Sequence, residues 1–150
     1  NESNIIKIPL CNDSFSQNKN LKASREIMFH DLIIKDRINS NPHSNIALIH
    51  CHSPQTVAFM GVNNCKKELN EIYSYFPELE SQLQIGNNVP KKYKAGTKEL
   101  AVEVANSIRG NNIIGHENHG IITVSDDLQS CYNTIEILEF YCRIYNLENK

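Results

Sequence analysis

Apolar and polar positions alternate along the chain with different periods, and each period predicts a different element. Over residues 24–38, Met28, Leu32 and Ile33, with Phe29 and Ile34 beside them, recur at helical spacing, and Ser24 is placed to cap the start. Residues 39–45, which include Pro42, form a turn, and Ile46-Ala47-Leu48-Ile49 is a continuous apolar run of the kind seen in a buried strand. That strand runs into His50-Cys51-His52 and stops before Pro54. Residues 55–60 and 68–75 read as short helices, whereas 78–92 is too polar and too punctuated by proline to assign. Thr97 caps a helix whose apolar face carries Leu100, Ala101, Val104 and Ile108, and Gly110 ends it. Two β-prone segments, 113–114 and 121–124, flank Gly115-His116-Glu117-Asn118-His119-Gly120. From Ser125, with Asp126 and Asp127 in the first turn, a long helix is expected to bury Leu128, Cys131, Ile135, Leu138, Cys142 and Tyr145. Ahead of all this lie an apolar run at 5–10 and a polar loop at 12–20. No repeat or linker divides the chain.

Composition narrows the class. A length of 150 residues suits one core, so a single domain over 1–150 is expected. With 40% hydrophobic and 21% charged residues and no run of eighteen apolar positions, the chain reads as a soluble globular protein without a membrane partner. Its formal charge of −2 and the lack of any basic cluster beyond Lys91, Lys92 and Lys94 argue against a nucleic-acid partner. Five cysteines, an odd number with no Cys-x-x-Cys spacing, suit reduced thiols and a cytoplasmic location.

The histidines carry the chemistry. Four of the six fall into two clusters, His50 with His52 and His116 with His119. Residues i and i+2 of a strand share a face, so His50 and His52 can reach one cation while Cys51 points away. Zinc takes three or four such ligands, and a catalytic zinc keeps one position open. A lone His-x-His is equally consistent with two solvated rings. A further histidine in a Gly-rich loop between strands shifts the balance, because ligands and catalytic groups concentrate on such loops. His119, beside Gly120, is the better third ligand; His116 is expected to hydrogen-bond nearby or to be exposed. Glu26 and His30, four apart on the first helix, share a face. They form either a surface pair or a site in which Glu26 serves as a carboxylate ligand or general base. Ser24 and Arg25 either cap that helix or bind an anion at its N-terminus.

Ser24-Arg25-Glu26 with His30, the strand Ala47-Leu48-Ile49-His50-Cys51-His52, Gly96-Thr97-Lys98-Glu99-Leu100 and Asn118-His119-Gly120, in this order, resemble the motifs of the class II aldolase/adducin family. The similarity runs over about residues 24–147. It implies an α/β domain of three α/β/α layers around a mostly antiparallel sheet. It also implies a zinc-dependent, aldolase-type lyase, another divalent metal being an alternative, with His50, His52 and His119 as ligands and Glu26 as catalytic acid/base. In that chemistry the metal stabilises the enediolate left when a ketose 1-phosphate is cleaved. Family epimerases carry Asp where Glu26 stands, which tilts the reading toward an aldolase; an epimerase, a dehydratase and a noncatalytic adducin-like module are the alternatives. The resemblance further implies a homotetramer acting on a small sugar phosphate or related acidic substrate, and a tyrosine acid, for which Tyr73 is the nearest candidate. Two departures stand out. Nothing in residues 1–23 matches the family's N-terminal helices and Gly-Asn phosphate loop, and Arg25 replaces the second serine of a Ser-Ser-Glu motif, which alters the anion pocket.

Overall fold

The computed structural model describes residues 23–61 and 67–149. The apolar run at 5–10 and the loop at 12–20 lie outside them. The elements are α1 (Ile27–Ser40), β1 (Ala47–Cys51), α2 (Pro54–Met60), two 3₁₀ helices (Leu69–Ser74 and Pro77–Ser81), α3 (Lys98–Ser107), β2 (Ile113–His116), β3 (Gly120–Ser125) and α4 (Leu128–Glu148).

The three strands form one antiparallel sheet in the order β1-β3-β2, and single parallel bridges from Ile85 and Val89 run alongside β2. Side-chain alternation on β2 and β3 sorts the core into two. Ile114, Ile122 and Val124 point to one face and meet Phe29 and Ile33 of α1 and Leu100, Ala101 and Val104 of α3. Ile113 and Ile121 point to the other face and meet Phe59 and Met60 of α2 and Leu138 and Cys142 of α4. Helices thus cover both faces, which is why β2 and β3 are buried at every position but Ser125. The architecture is the expected three-layer α/β fold.

Several boundaries and burials differ from the sequence reading. The first helix is shifted forward: Glu26 is its N-cap, and Ser24 instead accepts a hydrogen bond from the Glu26 N–H (3.2 Å) in the preceding turn. β1 is half-buried along its length, because among the described residues it pairs on one side only. Residues 68–75 contain a 3₁₀ helix, fastened by a reciprocal capping box between Glu68 and Glu71. Ser125 ends β3, and α4 is capped by Asp127, whose carboxylate accepts from the Ser130 N–H (2.8 Å). Leu128 is 64% exposed, and the residues α4 buries are Cys131, Thr134, Leu138 and Cys142.

Candidate metal centre

Three elements deliver four side chains to one place. In the β1–β3 register Leu48 lies opposite Val124 and His50 opposite Ile122, so His50 shares the face that α1 covers, and Glu26 sits at the start of that helix. His52 follows two residues after His50, just past the strand, and His119 comes from the β2–β3 loop. One ligand atom from each of Glu26, His50, His52 and His119 lies within 4.8 Å of the others. Glu26 Oε2 is 2.9 Å from His50 Nε2, Glu26 Oε1 is 3.3 Å from His119 Nε2, and the two imidazole Nε2 atoms are 3.3 Å apart.

These atoms are arranged for a cation. Glu26 Oε1 is buried with no hydrogen-bond partner among the described residues; His119 is near it, but not in line for a hydrogen bond. An orphaned buried carboxylate oxygen is costly unless a positive charge meets it. On the other side of the group, His50 Nδ1 is 2.9 Å from the Ile121 carbonyl oxygen. A carbonyl only accepts, so Nδ1 carries the hydrogen and the Nε2 lone pair faces the cluster. Two of the separations, at 3.3 Å, match the edge of a tetrahedron with arms of about 2.0 Å, the usual length of a zinc–nitrogen bond, while the Glu26–His50 pair is closer at 2.9 Å. One carboxylate and three imidazoles therefore fit a divalent ion.

The loop that presents His119 is short. His119 N–H donates to the His116 carbonyl (3.0 Å), and Asn118 takes the left-handed conformation at φ 58°, which asparagine adopts more readily than most residues. Gly120 is required on packing grounds, since a Cβ there would lie 2.3 Å from the Cys51 carbonyl oxygen and 3.1 Å from His52 Cδ2. Without a side chain at 120, the end of β1 and the His52 ring can rest against the hairpin. Glu117, also buried, accepts from the Lys91 N–H (3.1 Å) and donates its own N–H to Val89 O (3.0 Å), which ties the hairpin to the 89–91 segment.

Burial, opposed in part by the hydrogen bond to Ile121, lowers the His50 pKa. Burial is also the main cause that brings His30 and His116 down to about 4, with a neighbouring histidine adding to it in each. Among the ligand candidates, burial thus favours the neutral form of His50, the form that binds metal.

The structure brings Glu26, His50, His52 and His119 together and leaves other candidates outside the group. Ser24 and Arg25 are exposed, and Arg25 packs over Gly96, where a Cβ would come within 3.2 Å of its own. His30 stacks on Phe29 (centroids 4.8 Å apart), and Phe29 meets the His50 ring edge-on at 5.5 Å. His116, expected to be hydrogen-bonded or exposed, is 4% exposed and stacks on His119. Tyr73 is not part of the cluster: its hydroxyl donates to Leu83 O (2.8 Å) and accepts from Ile85 N–H (2.8 Å), and burial raises its pKa. Glu117 and Phe29 were missed as neighbours of the site. A charged loop residue and an apolar helix residue carry no sign of what they will touch.

Comparison with known proteins agrees with this architecture. The model of the Class II Aldolase and Adducin N-terminal domain family matches residues 1–146, a span that takes in the first 23 positions, where no motif was read. The 3-oxo-tetronate 4-phosphate decarboxylase of Escherichia coli K12 is 28% identical over 120 residues, covering 79% of this chain and 52% of that protein. The chain thus spans about half the length of the curated relatives it matches. Among solved structures, the sugar-phosphate aldolase of Thermotoga maritima superposes with a TM-score of 0.69 at 24% identity, over 83% of this chain and 53% of that one. The L-fuculose-1-phosphate aldolase of Thermus thermophilus gives a TM-score of 0.68 at 19% identity, over 96% of this chain and 68% of that one. With its motifs in order and its three layers in place, the chain belongs to the class II aldolase and adducin N-terminal domain family.

Proposed function

We propose that the chain carries the metal centre of a lyase that breaks a carbon–carbon bond in a phosphorylated sugar or sugar acid. His50, His52 and His119 are the ligands of a divalent ion, zinc by preference, and Glu26 is the acid/base, joining the ligands before substrate binds. The observation that carries this reading is the convergence of one carboxylate and three imidazoles from separate elements within 4.8 Å. A divalent ion held there supplies Lewis acidity for the charge that develops on carbonyl and hydroxyl oxygens as the bond breaks.

The remaining work falls to the protein. His50, with Nδ1–H engaged by Ile121, keeps Nε2 turned to the site. Glu26, buried and without a hydrogen bond at Oε1 among the described residues, is placed to hold a proton and to deliver it to the substrate carbon that gains the electron pair. Ser24 and Arg25, exposed just ahead of α1, take the anionic end of the substrate.

Two cleavages share this demand. In an aldol cleavage the leaving fragment is an aldehyde; in a decarboxylation of a 3-oxo acid it is carbon dioxide. In both, the electron pair of the broken bond passes toward the neighbouring carbonyl, and a proton later returns to carbon. The 28% identity to a decarboxylase favours the second, and the folds of the aldolases are compatible with the first.

The test is to incubate the metal-loaded protein with a panel of ketose 1-phosphates, assaying dihydroxyacetone phosphate, and separately with 3-oxo-tetronate 4-phosphate, assaying carbon dioxide. Release from one of them, reduced about 10²–10⁴-fold in Glu26→Gln, supports the reading. No release from either turns the assignment to an epimerase, a dehydratase or a noncatalytic module.

A further inference from the structure

His50 and His119 are held in different ways. The His50 ring is anchored by its Nδ1–H to the Ile121 carbonyl (2.9 Å). The His119 ring has no such anchor: among the described residues its polar neighbours in the cluster are Glu26, His50 and His52, whose ligand atoms an ion would engage, the His50 and His52 rings lying 5.2 and 4.6 Å from it between centroids. Metal-binding histidines ordinarily have the second nitrogen fixed by a hydrogen bond, which sets the plane of the ring. Something else must set it here.

The structure supplies a further ring, one outside the ligand set. His116 ends β2 opposite Gly120, is 4% exposed, and lies on His119 with ring centroids 4.7 Å apart and planes 21° from parallel. Its backbone carbonyl also accepts the His119 N–H (3.0 Å), so backbone and ring grip the same residue. The ring nitrogens of His116 make no hydrogen bond among the described residues, so what the side chain contributes is a flat surface.

We infer that His116 is a positioning residue for the centre, holding the His119 ring by stacking so that Nε2 faces His50 and Glu26. The inference rests on the reading of Glu26, His50, His52 and His119 as a metal site.

The experiment loads Co²⁺ into wild type, His116→Ala and His116→Phe, and reads the visible absorption band and the dissociation constant by competition with a chelator. Loss of the ring in His116→Ala is expected to weaken binding about 10- to 100-fold, the usual effect of removing a group that orients a ligand, and to alter the cobalt band. His116→Phe keeps a flat ring without nitrogens and is expected to restore both. Alanine binding as tightly as wild type would overturn the inference. So would phenylalanine binding as poorly as alanine while its metal-free form melts like wild type, since a nitrogen and not the stack would then be at work. A wild-type protein that takes up no cobalt overturns the reading of the centre itself, a different result from either.

Discussion

At the scale of single residues, the ligand cluster depends on neighbours that bind nothing. Asn118 has φ 58° so that the β2–β3 loop can turn and present His119. For most L-residues that conformation costs about 1–2 kcal/mol, and glycine escapes the cost. Asn118→Gly should therefore keep both stability and metal affinity. Asn118→Val should lose about 1–2 kcal/mol in urea unfolding and bind metal more weakly. The residues that converge were legible in the sequence, since the His50/His52 spacing and the Glu26, His119 and Gly120 motifs were all visible there. The roles of His116 and Tyr73 were not. Whether a histidine is buried on a ring, or a tyrosine is consumed by Leu83 and Ile85, is decided by residues distant in the chain.

At the scale of elements, α2 shows how a segment too short to be stable alone is held by another. It has seven residues, begins with Pro54 and receives no cap from its own Ser53. Its start is satisfied from α4 instead. The Glu139 carboxylate accepts the N–H groups of Gln55 and Thr56 (both 2.9 Å) and the Thr56 hydroxyl (2.8 Å). Glu139→Ala strands these donors and should lower stability by about 1–3 kcal/mol, read as a fall in the thermal midpoint. Glu139→Gln should fall between alanine and wild type. Elements with a strong period or a local cap were foreseen: Thr97 does accept from the Leu100 N–H at the start of α3, and β2 and β3 flank the predicted loop. Elements built from distant partners were not. The 85–89 stretch touches β2 through isolated bridges at Ile85 and Val89, which leave no periodic pattern to read. The stripe of α4 differs from the expected one at its first turn, where Leu128 stays 64% exposed.

At the scale of the molecule, the site lies at one end of a sheet covered on both faces, and the histidines around it are kept neutral mainly by burial. That has a consequence for the metal-free protein. His30 and His116 have pKa values of about 4 in the fold against an ordinary 6.5, so between those values the unfolded chain binds more protons than the native one. Stability then rises with pH across this window. As pH falls from about 6.5 to about 4 the protein should lose stability, seen as a declining thermal midpoint after chelator treatment, and His116→Phe should reduce the slope. The central claim is that three imidazoles and a carboxylate share one ion. It is tested most directly by the metal content of purified wild type, His50→Ala and His119→Ala after equilibration with zinc and removal of the excess. The account predicts close to one zinc per wild-type chain and a large loss in both variants. A wild-type protein without near-stoichiometric metal, or variants that both retain it, would contradict the account.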